Sequence, residues 1–369
     1  MIPVNTPLLD GNERQYLLEC IETGWISSEG PFVRRFEESF AASVGRKFAV
    51  ACSSGSGALD MAVTAANLQS GDEVIMPALT IISPAASVVR AGAVPVLVDS
   101  DPVTWNMDVS QIEEKISART KAILVVHIYG LPVDLAPLLK IAERHNLIVI
   151  EDAAEMHGQT YRGQPCGCFG LMSTFSFYAN KHVSSGEGGM VVTDDDAVAE
   201  HCRRLRNLCF QPARRFVHDE LGWNYRMTNL QAAVGLAQLE QLPRHIERKR
   251  EIGDSYSRQL AGLKGIRLPC EATDFADNIY WVFGLVCEDE ARHPAETLMK
   301  RLAEQNIGTR PFFRPMHEQP VFRRMKLFQD DDHPHAENLG RRGFYLPSGL
   351  GITDEQIDTV VAALRLLAD

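Results

Sequence analysis

The chain has 369 residues and a net charge of −11 at pH 7, with 45% hydrophobic and 23% charged residues. This composition is ordinary for a globular protein and excludes intrinsic disorder, a collagen helix or a coiled coil as a description of the whole chain. An acidic chain lacks the basic surface that binds nucleic acid or an anionic membrane, so we expect neither partner. At about 100–200 residues per domain, the length predicts two domains.

No targeting or membrane-spanning signal is evident. The first residues lack the basic and apolar segments of a secretory signal, and the longest uncharged stretch, residues 74–89, is shorter than the roughly 20 residues of a membrane span. Eight cysteines are too few for a disulfide scaffold, and Cys166 and Cys168 form a CxC rather than the CxxC of a zinc site. We therefore expect a cytoplasmic protein without a metal site.

Short runs rich in β-branched residues alternate with amphipathic segments through the first half of the chain. Their continuous apolar character predicts strands buried on both faces, and the alternation predicts a doubly wound α/β domain with a parallel sheet. The predicted strands cover residues 48–52, 73–76, 94–98, 122–127, 147–152, 173–177 and 189–193. The predicted helices between them cover residues 58–68, 109–116, 135–145 and 197–208.

The pattern changes in the last third of the chain. Thr228 and Gln231 have the spacing of a capping box at the start of a long helical stretch. The later predicted elements are a strand at residues 279–286 and helices at residues 295–305 and 354–367. We therefore predict a large domain of residues 1–244 and a smaller α+β domain of residues 245–369.

A glycine-rich turn follows the first predicted strand. Residues 53–57 read SSGSG and lead into a helix, and N–H groups at a helix N-terminus, with the helix dipole behind them, bind phosphate. Ser54 and Ser56 add hydroxyl donors. Taken alone, the turn is better explained as an ordinary strand-to-helix connection than as a phosphate site. The chain lacks the GxxxxGK[ST] of a P-loop and the GxGxxG of a dinucleotide site.

Two acids and a lysine follow at the ends of later strands. Glu151 and Asp152 close a very apolar strand, at the edge where open α/β sheets bind ligands, and strand periodicity does not decide which acid faces that edge. Lys181 stands between FSFY and GEGGMVV, an apolar setting that suits a Schiff-base lysine, and Ser176 precedes it. A phosphate turn, a carboxylate and a lysine together indicate pyridoxal phosphate.

Several motifs resemble the DegT/DnrJ/StrS family of nucleotide-sugar aminotransferases, which are fold-type I pyridoxal-phosphate enzymes. They include EDAAE, TFSFYANK, SSGEGGMV, WNYRMTNLQAAVGLAQLE and RPFFRPMH, and the resemblance runs to the C-terminal helix. It implies a large domain with a mostly parallel central sheet and a smaller α+β C-terminal domain. It also implies amination at C4 of a nucleotide-linked 4-keto-6-deoxyhexose, GDP-4-keto-6-deoxymannose, with glutamate as donor, for O-antigen or related glycan synthesis.

The same resemblance implies roles for single residues. Lys181 is implied as the Schiff-base lysine and proton shuttle, and Asp152 as the partner of the pyridine nitrogen. The other implied cofactor contacts are Gly55, Ser56, Glu155, Ser176 and, reaching across from a neighbouring subunit of a dimer, Asn224.

Three residues of the RPFFRPMH segment are candidates for contacts with the nucleotide sugar. Arg310 and Arg314 suit a diphosphate, because guanidinium groups pair with phosphate oxygens, and His317 could add a hydrogen bond. The arginines could instead brace the small domain, and His317 could be a capping or surface residue. Residues 24–30, GWISSEG, are a second candidate lining of the sugar pocket.

The chain departs from the family pattern at two positions. Ile81 stands where an aromatic ring usually stacks on the cofactor, and Gly57 lies in SGSGAL, where relatives commonly read NGTxAL, so that we expect a lost hydroxyl contact. Three alternative functions stay open. One is sugar dehydration, which a branch of the family performs with histidine in place of the lysine, although the position of NK before GEGG favours Lys181 over His182. The others are a UDP- or dTDP-linked substrate and a non-catalytic regulator, although a regulator would need a DNA-binding module for which neither the charge nor the length of the chain leaves room.

Overall fold

The computed structural model describes residues 1–211, 213–289 and 294–368. Its α-helices are, in chain order, α1 (Glu13–Thr23), α2 (Pro31–Ser43), α3 (Gly55–Ala65), α4 (Ser83–Arg90), α5 (Leu135–His145), α6 (Asp196–Leu205), α7 (Asn229–Glu240), α8 (Leu242–Leu260), α9 (Ala295–Glu304), α10 (Pro320–Arg324), α11 (Pro334–Arg342) and α12 (Asp354–Ala368). Within these described ranges, no helix has the length and apolar character needed to cross a membrane.

The strands form one large sheet, one small sheet and a short hairpin. They are β1 (Phe48–Cys52), β2 (Glu73–Pro77), β3 (Val94–Val98), β4 (Thr120–Val126), β5 (Ile148–Asp152), β6 (Thr160–Tyr161), β7 (Gln164–Pro165), β8 (Met172–Ser176), β9 (Gly189–Thr193), β10 (Ile266–Arg267), β11 (Phe283–Cys287), β12 (Arg310–Pro311) and β13 (Gly343–Leu346). The large sheet has the order β1-β9-β8-β5-β4-β2-β3, and the small sheet has the order β10-β11-β13-β12.

All seven strands predicted in the first half of the chain belong to the large sheet. Strand β9 runs antiparallel to β1 and β8, and the other pairings are parallel. Apolar side chains of α3 and α4 pack on one face, and those of α2, α5 and α7 pack on the other. Because both faces are covered, β2 and β9 are buried at every position, which is why their sequences read as continuous apolar runs.

The helix predicted at residues 109–116 is wrong. This stretch forms two short 3₁₀ turns, Val109–Gln111 and Glu113–Lys115. The Asp108 carboxylate accepts hydrogen bonds from the backbone N–H of Ser110 at 3.0 Å and from its hydroxyl at 2.6 Å. Such local side-chain bonds favour a tight turn over an α-helix, and the periodic apolar residues gave no sign of this competition.

The capping box predicted at the start of α7 is confirmed. The Thr228 side chain accepts from the backbone of Gln231, and the Gln231 side chain accepts from the backbone of Thr228. Helix α8 then runs without interruption from Leu242 to Leu260, across the boundary proposed between residues 244 and 245, so the boundary stays a prediction.

The small sheet is antiparallel and packs with α8, α9 and α12 around a core of its own. The N-terminus joins this core, because Ile2 forms a parallel bridge with Ile307 and is buried within the same cluster. Strand β11 begins four residues later than predicted, at Phe283. The backbone of Tyr280 is left-handed, with φ +47°, which interrupts the extended run just before Trp281.

Candidate active site

A cleft of about 410 Å³ opens at the carboxyl edge of the large sheet. Ligands of open α/β sheets bind at this edge, where the loops that follow the strands meet. The residues that end or follow five strands line the cleft: Ser54 and Gly55 after β1, Thr80 after β2, His127 after β4, Asp152 at the end of β5, and Ser176 at the end of β8. The sheet order therefore brings together polar groups that are far apart in the chain.

The glycine-rich turn forms one end of the cleft. Ser54 caps α3, and its hydroxyl oxygen accepts a hydrogen bond from the Gly57 N–H at 3.1 Å. A Cβ at Gly55 would lie 2.7 Å from the Cβ of Ser176, so only glycine lets the helix start this close to β8. The hydroxyl of Ser56 is exposed and lies 2.8 Å from that of Ser83. These hydroxyls and the N–H groups of Gly55 and Ser56 at the start of the helix suit a phosphate.

The structure separates the two acids that the sequence left undecided. Glu151 faces away from the cleft and is fully buried, where it accepts bonds from the N–H groups of Gly167 and Phe169 and from the Ser173 hydroxyl. Asp152 lines the cleft. The hydrogen bonds recorded for Asp152 among the described residues, from Ala154 N–H at 3.1 Å and the Thr174 hydroxyl at 3.3 Å, both reach Oδ1.

Lys181 extends into the cleft between an acid and an aromatic ring. Its Nζ lies 3.5 Å from Oε1 of Glu155, and their side chains are 9% and 8% exposed. On another side, Nζ lies 3.7 Å from the centre of the Trp281 ring. The second oxygen of Glu155 accepts a hydrogen bond from Tyr129 N–H at 2.7 Å, which fixes the carboxylate.

Burial dominates the electrostatics of this group. It raises the pKa of Asp152 and raises the pKa of Glu155 to about 7, while the ammonium of Lys181 opposes both shifts. Burial also lowers the pKa of Lys181, against the pull of the two carboxylates. Each group is thus displaced toward its neutral form, which brings acid and amine closer in proton affinity than they are in water. Burial therefore lowers the cost of moving a proton between Lys181 and Glu155 relative to the same groups in water.

Three histidines lie in a row beneath the lysine loop. His157 Nε2 is 2.9 Å from the carbonyl oxygen of Ser176, His182 Nδ1 is 3.3 Å from the carbonyl oxygen of His157, and His245 Nδ1 is 2.9 Å from the carbonyl oxygen of His182. Since a carbonyl oxygen only accepts, each histidine nitrogen donates. Burial lowers the pKa of all three. His182 is held in this row by His157 and His245, and it does not line the cleft.

The predicted site residues fall into two groups. Those that line the cleft are Gly55, Ser56, Asp152, Glu155, Ser176, Lys181 and Arg310. The remaining three do not line it. Asn224 is exposed elsewhere, Arg314 pairs with Glu318 at 3.2 Å, and the buried His317 bonds Glu337 at 2.8 Å. Roles for these three in binding stay predictions.

Several cleft residues were not foreseen from the sequence. Trp281, Phe313 and Tyr345 form an aromatic wall that is contributed by the C-terminal part of the chain. Thr80 Oγ1 and Asn180 Oδ1 are buried without a hydrogen-bond partner among the described residues, and both side chains line the cleft. The chain has only four tryptophans, and this rarity could have drawn attention to Trp281. Because it lies inside the predicted strand at residues 279–286, however, the sequence indicated a core residue.

One buried cluster has the composition of a metal site. His127, Glu151 and Cys166 offer ligand atoms within 4.8 Å of one another. Nδ1 of His127 accepts the N–H of Val133 at 3.0 Å, so its Nε2 carries the proton and donates to Glu151 at 3.1 Å. With three further donors on Glu151, the acceptor atoms of His127 and Glu151 are already engaged by hydrogen bonds from described residues, which argues against a cation here.

The cleft fits pyridoxal phosphate by the chemistry of its groups. Oδ2 of the buried Asp152 has no recorded hydrogen bond within the described ranges, and a buried carboxylate is stabilised by a cationic N–H such as that of a protonated pyridine ring. The turn at Gly55 offers a phosphate cradle, and Lys181 offers an amine. The unpartnered oxygens of Thr80 and Asn180 are further sites for hydrogen bonds to a ligand.

Comparison with known proteins agrees with this assignment. Residues 7–365 match the model of the DegT/DnrJ/EryC1/StrS aminotransferase family. The chain is 44% identical to the GDP-perosamine synthase of Caulobacter vibrioides, covering 98% of this chain and 97% of that one, and 42% identical to that of Escherichia coli O157:H7, covering 96% and 95%.

Among solved structures, DesV of S. venezuelae superposes with a TM-score of 0.89 at 33% identity, covering 97% of this chain and 94% of that one. The predicted fold, enzyme class and pyridoxal-phosphate cofactor are confirmed by these matches together. The chain belongs to the DegT/DnrJ/EryC1/StrS aminotransferase family.

Proposed function

We propose that this enzyme transfers an amino group from glutamate to C4 of a GDP-linked 4-keto-6-deoxyhexose. The observation that carries the proposal is the placement of the Lys181 amine in a cleft between Glu155 and Trp281, next to a phosphate-type turn. The substrate class is supported by the two relatives named GDP-perosamine synthase, which align over nearly the whole chain.

Bound pyridoxal phosphate supplies an electron-withdrawing ring that stabilises negative charge on the substrate carbon next to the transferred nitrogen. Gly55, Ser56 and Ser176 would hold its phosphate, and Asp152 would keep a proton on its ring nitrogen. Lys181 would supply the amine that holds the cofactor covalently. When that amine is free, its Nζ would accept the proton from Cα of the amino donor and deliver it on the cofactor side.

Glu155 regulates the charge on Lys181 during these steps. Its pKa, raised by burial to about 7, lets it accept the proton that the lysine must lose before it acts as a base. The N–H of Tyr129 holds the Glu155 carboxylate in place at 2.7 Å. In the second half-reaction the same groups would work in reverse, with Nζ of Lys181 taking a proton on the cofactor side and delivering one to C4 of the sugar.

The test of this assignment is the identity of the lysine that carries the cofactor. Borohydride should attach the cofactor irreversibly to Lys181, and K181A should bind cofactor without turnover. Lys249 is an internal control, because burial lowers its pKa to about 7 but its Nζ is bound to backbone carbonyls, including that of Trp281 at 2.8 Å. Attachment to Lys249, or to any other lysine, contradicts the mechanism.

Donor use distinguishes transamination from dehydration. Enzyme that carries the amino form of the cofactor is mixed with a keto-sugar, and formation of the amino sugar is followed by mass spectrometry. We expect one amino sugar per active site without added glutamate and continued turnover with it. Formation of a deoxysugar without a gain of nitrogen would establish the dehydratase alternative.

The base of the nucleotide is tested by matched GDP-, UDP- and dTDP-linked 4-keto-6-deoxy sugars. Each hydrogen bond that distinguishes guanine from a pyrimidine contributes only about 0.5–1.5 kcal/mol, so a few contacts set the preference. We expect the highest kcat/KM for the GDP sugar. Preference for the UDP or dTDP sugar would refute the GDP assignment while leaving the aminotransferase assignment intact.

We also propose a symmetric homodimer with shared active sites. A cleft of about 820 Å³ is lined by Trp25 and Ile26 of GWISSEG and by Arg226 and Met227, which lie next to Asn224. Trp25 and Ile26 are 51% and 53% exposed, and apolar groups this exposed suit burial against a second copy. In such a dimer, Asn224 and the GWISSEG segment would complete the partner's cleft.

Subunit mixing tests the shared site. K181A and N224A proteins should each be inactive, and their heterodimer should contain one intact site if Asn224 acts across the interface. Recovery of activity on mixing is the expected result. No recovery, despite subunit exchange shown by native mass spectrometry, would place Asn224 in its own chain's site or outside any site.

We propose a cytoplasmic location, consistent with the lack of disulfides among the described cysteines.

A further inference from the structure

The ring of Trp281 lies directly against the reactive amine. Of the cations that lie over aromatic rings in the described part of the chain, Lys181 is the one above a tryptophan, with Nζ 3.7 Å from the ring centre. This is well within the roughly 6 Å over which a ring attracts a cation. Trp281 is only 5% exposed, so water does not weaken the attraction.

The ring is held rigidly in that position. Nε1 of Trp281 donates to the carbonyl oxygen of Asn180 at 3.0 Å, which ties the ring to the residue before Lys181. The ring is parallel to that of Tyr129, with an interplanar angle of 4° and centres 6.3 Å apart. Tyr129 also donates its N–H to Glu155, so one residue supports both neighbours of the amine.

We infer that Trp281 is a positioning residue, whose ring holds the Lys181 ammonium beside Glu155 whenever the lysine is not bonded to the cofactor. The inference rests on the proposed function, in which Lys181 is released during each half-reaction. The ring face attracts the ammonium form and has no such attraction for the neutral amine. Trp281 therefore gives the released lysine one resting place, from which it reaches the substrate after giving its proton to Glu155.

A leucine side chain at position 281 would keep this side of the amine apolar but would offer no ring charge distribution to the cation. The Lys181 pKa should therefore fall by about one unit, a tenfold change in proton affinity. The other titratable groups near the amine are Asp152, Glu155 and His157, with the hydroxyls of Tyr129 and Tyr345. All of these are unchanged in W281L.

The experiment measures the proton affinity of the lysine in protein freed of cofactor. Wild type, W281F and W281L are labelled briefly with acetic anhydride across a pH series, and labelling of Lys181 is quantified by peptide mass spectrometry relative to the exposed Lys140. We expect half-labelling in W281L at a pH about one unit below wild type, with W281F within a few tenths of a unit. Equal half-labelling pH in all three proteins overturns the inference.

A second probe covers the case in which W281L does not fold. Fluorinated tryptophans preserve the shape of the ring and weaken its attraction for cations. Among the tryptophans, all of which the structure describes, Trp281 is the one with a cation over its ring. The half-labelling pH of Lys181 should decrease stepwise as fluorine atoms are added. An unchanged value overturns the inference. Because the protein carries no cofactor here, the result is independent of whether any keto-sugar is a substrate.

Kinetics distinguish positioning from substrate binding. In W281L we expect kcat to fall about tenfold, because the released lysine is no longer held beside Glu155, while KM for glutamate changes little. W281F should recover most of the lost kcat, since its ring retains an attractive face. A higher KM with unchanged kcat would assign Trp281 to substrate binding and would overturn the inference.

Discussion

His157, which does not line the cleft, should make the stability of this protein depend on pH. Its Nε2 donates to Ser176 O at 2.9 Å, and the rings of Phe40, Phe175 and Phe177 pack edge-on around it. Its Nδ1 is buried without a partner in the described part of the chain. Burial lowers the pKa of His157 from 6.5 to about 3, so the folded protein keeps this residue neutral far below neutral pH.

The direction in which stability changes with pH follows from whether the folded or the unfolded chain binds the proton. Between the folded and unfolded pKa values, the unfolded chain takes up a proton that the folded chain refuses, so the stability contributed by His157 is lost as pH falls from about 7. At pH 5, which is 1.5 units below the unfolded value, the loss is about 2 kcal/mol. Glu155 has the opposite effect on stability. Its pKa in the folded protein, about 7, lies above its ordinary value of 4.5, so its protonation stabilises the folded protein as pH falls over the same range.

Since these two effects offset each other in the wild type, the test is a difference between variants. H157Q keeps an N–H donor at a similar reach and does not titrate. Urea unfolding of both proteins at one fixed concentration should show their difference in unfolding free energy shifting by about 2 kcal/mol between pH 7 and pH 5, in favour of H157Q. A difference that stays constant within about 0.5 kcal/mol would refute the burial argument.

Three further predictions concern the cleft. D152N cannot stabilise a charged ring nitrogen, so kcat should fall on the order of 10²-fold or more while the protein still folds, as judged by circular dichroism. G55A places a Cβ 2.7 Å from that of Ser176, so titration should show at least about tenfold weaker cofactor binding. R310Q should raise KM for the nucleotide sugar by about tenfold, whereas R314Q, outside the cleft, should leave KM unchanged.

Much of the fold could be predicted because its signals are local. The strands of the large sheet are continuous apolar runs bounded by turns, and each of the seven was found. Helix α7 was marked by its capping box, Thr228 with Gln231. The helix predicted at residues 109–116 was wrong because the local bonds of Asp108 to Ser110 depend on side-chain geometry, which the spacing of apolar residues does not show.

The site was predictable only where a motif or a resemblance marked it. Lys181 and the turn at Gly55 belong to recognisable segments, whereas the choice between Glu151 and Asp152 depends on which side of β5 each faces. Trp281 was missed because its role comes from a contact between residues 100 positions apart and from the left-handed backbone at Tyr280. Pairwise proximity across the fold has no signature in a single sequence.

Gly57 illustrates how the structure changes the meaning of a sequence departure. A Cβ at this position would lie 3.2 Å from the ring of Tyr225, which packs against the turn, and the Tyr225 hydroxyl bonds Asp60 at 3.1 Å. Glycine here makes room for that ring. The turn also retains the exposed hydroxyl of Ser56 next to Gly57. The expected loss of a hydroxyl contact to the phosphate at Gly57 therefore stays a prediction.

Ile81 presents the opposite case, because its side chain lines the cleft and is 45% exposed. No packing requirement is evident for isoleucine at this half-exposed position, so an aromatic ring should be accommodated. In I81Y, stacking on the cofactor should add about 0.5–1.5 kcal/mol, or two- to tenfold tighter binding. I82Y is the matched control, since Ile82 is 37% exposed but does not line the cleft, and it should leave the affinity unchanged. Cofactor titration followed by tryptophan fluorescence measures both variants. Equal affinity in I81Y and wild type would mean that the side chain at position 81 does not lie over the ring of the bound cofactor.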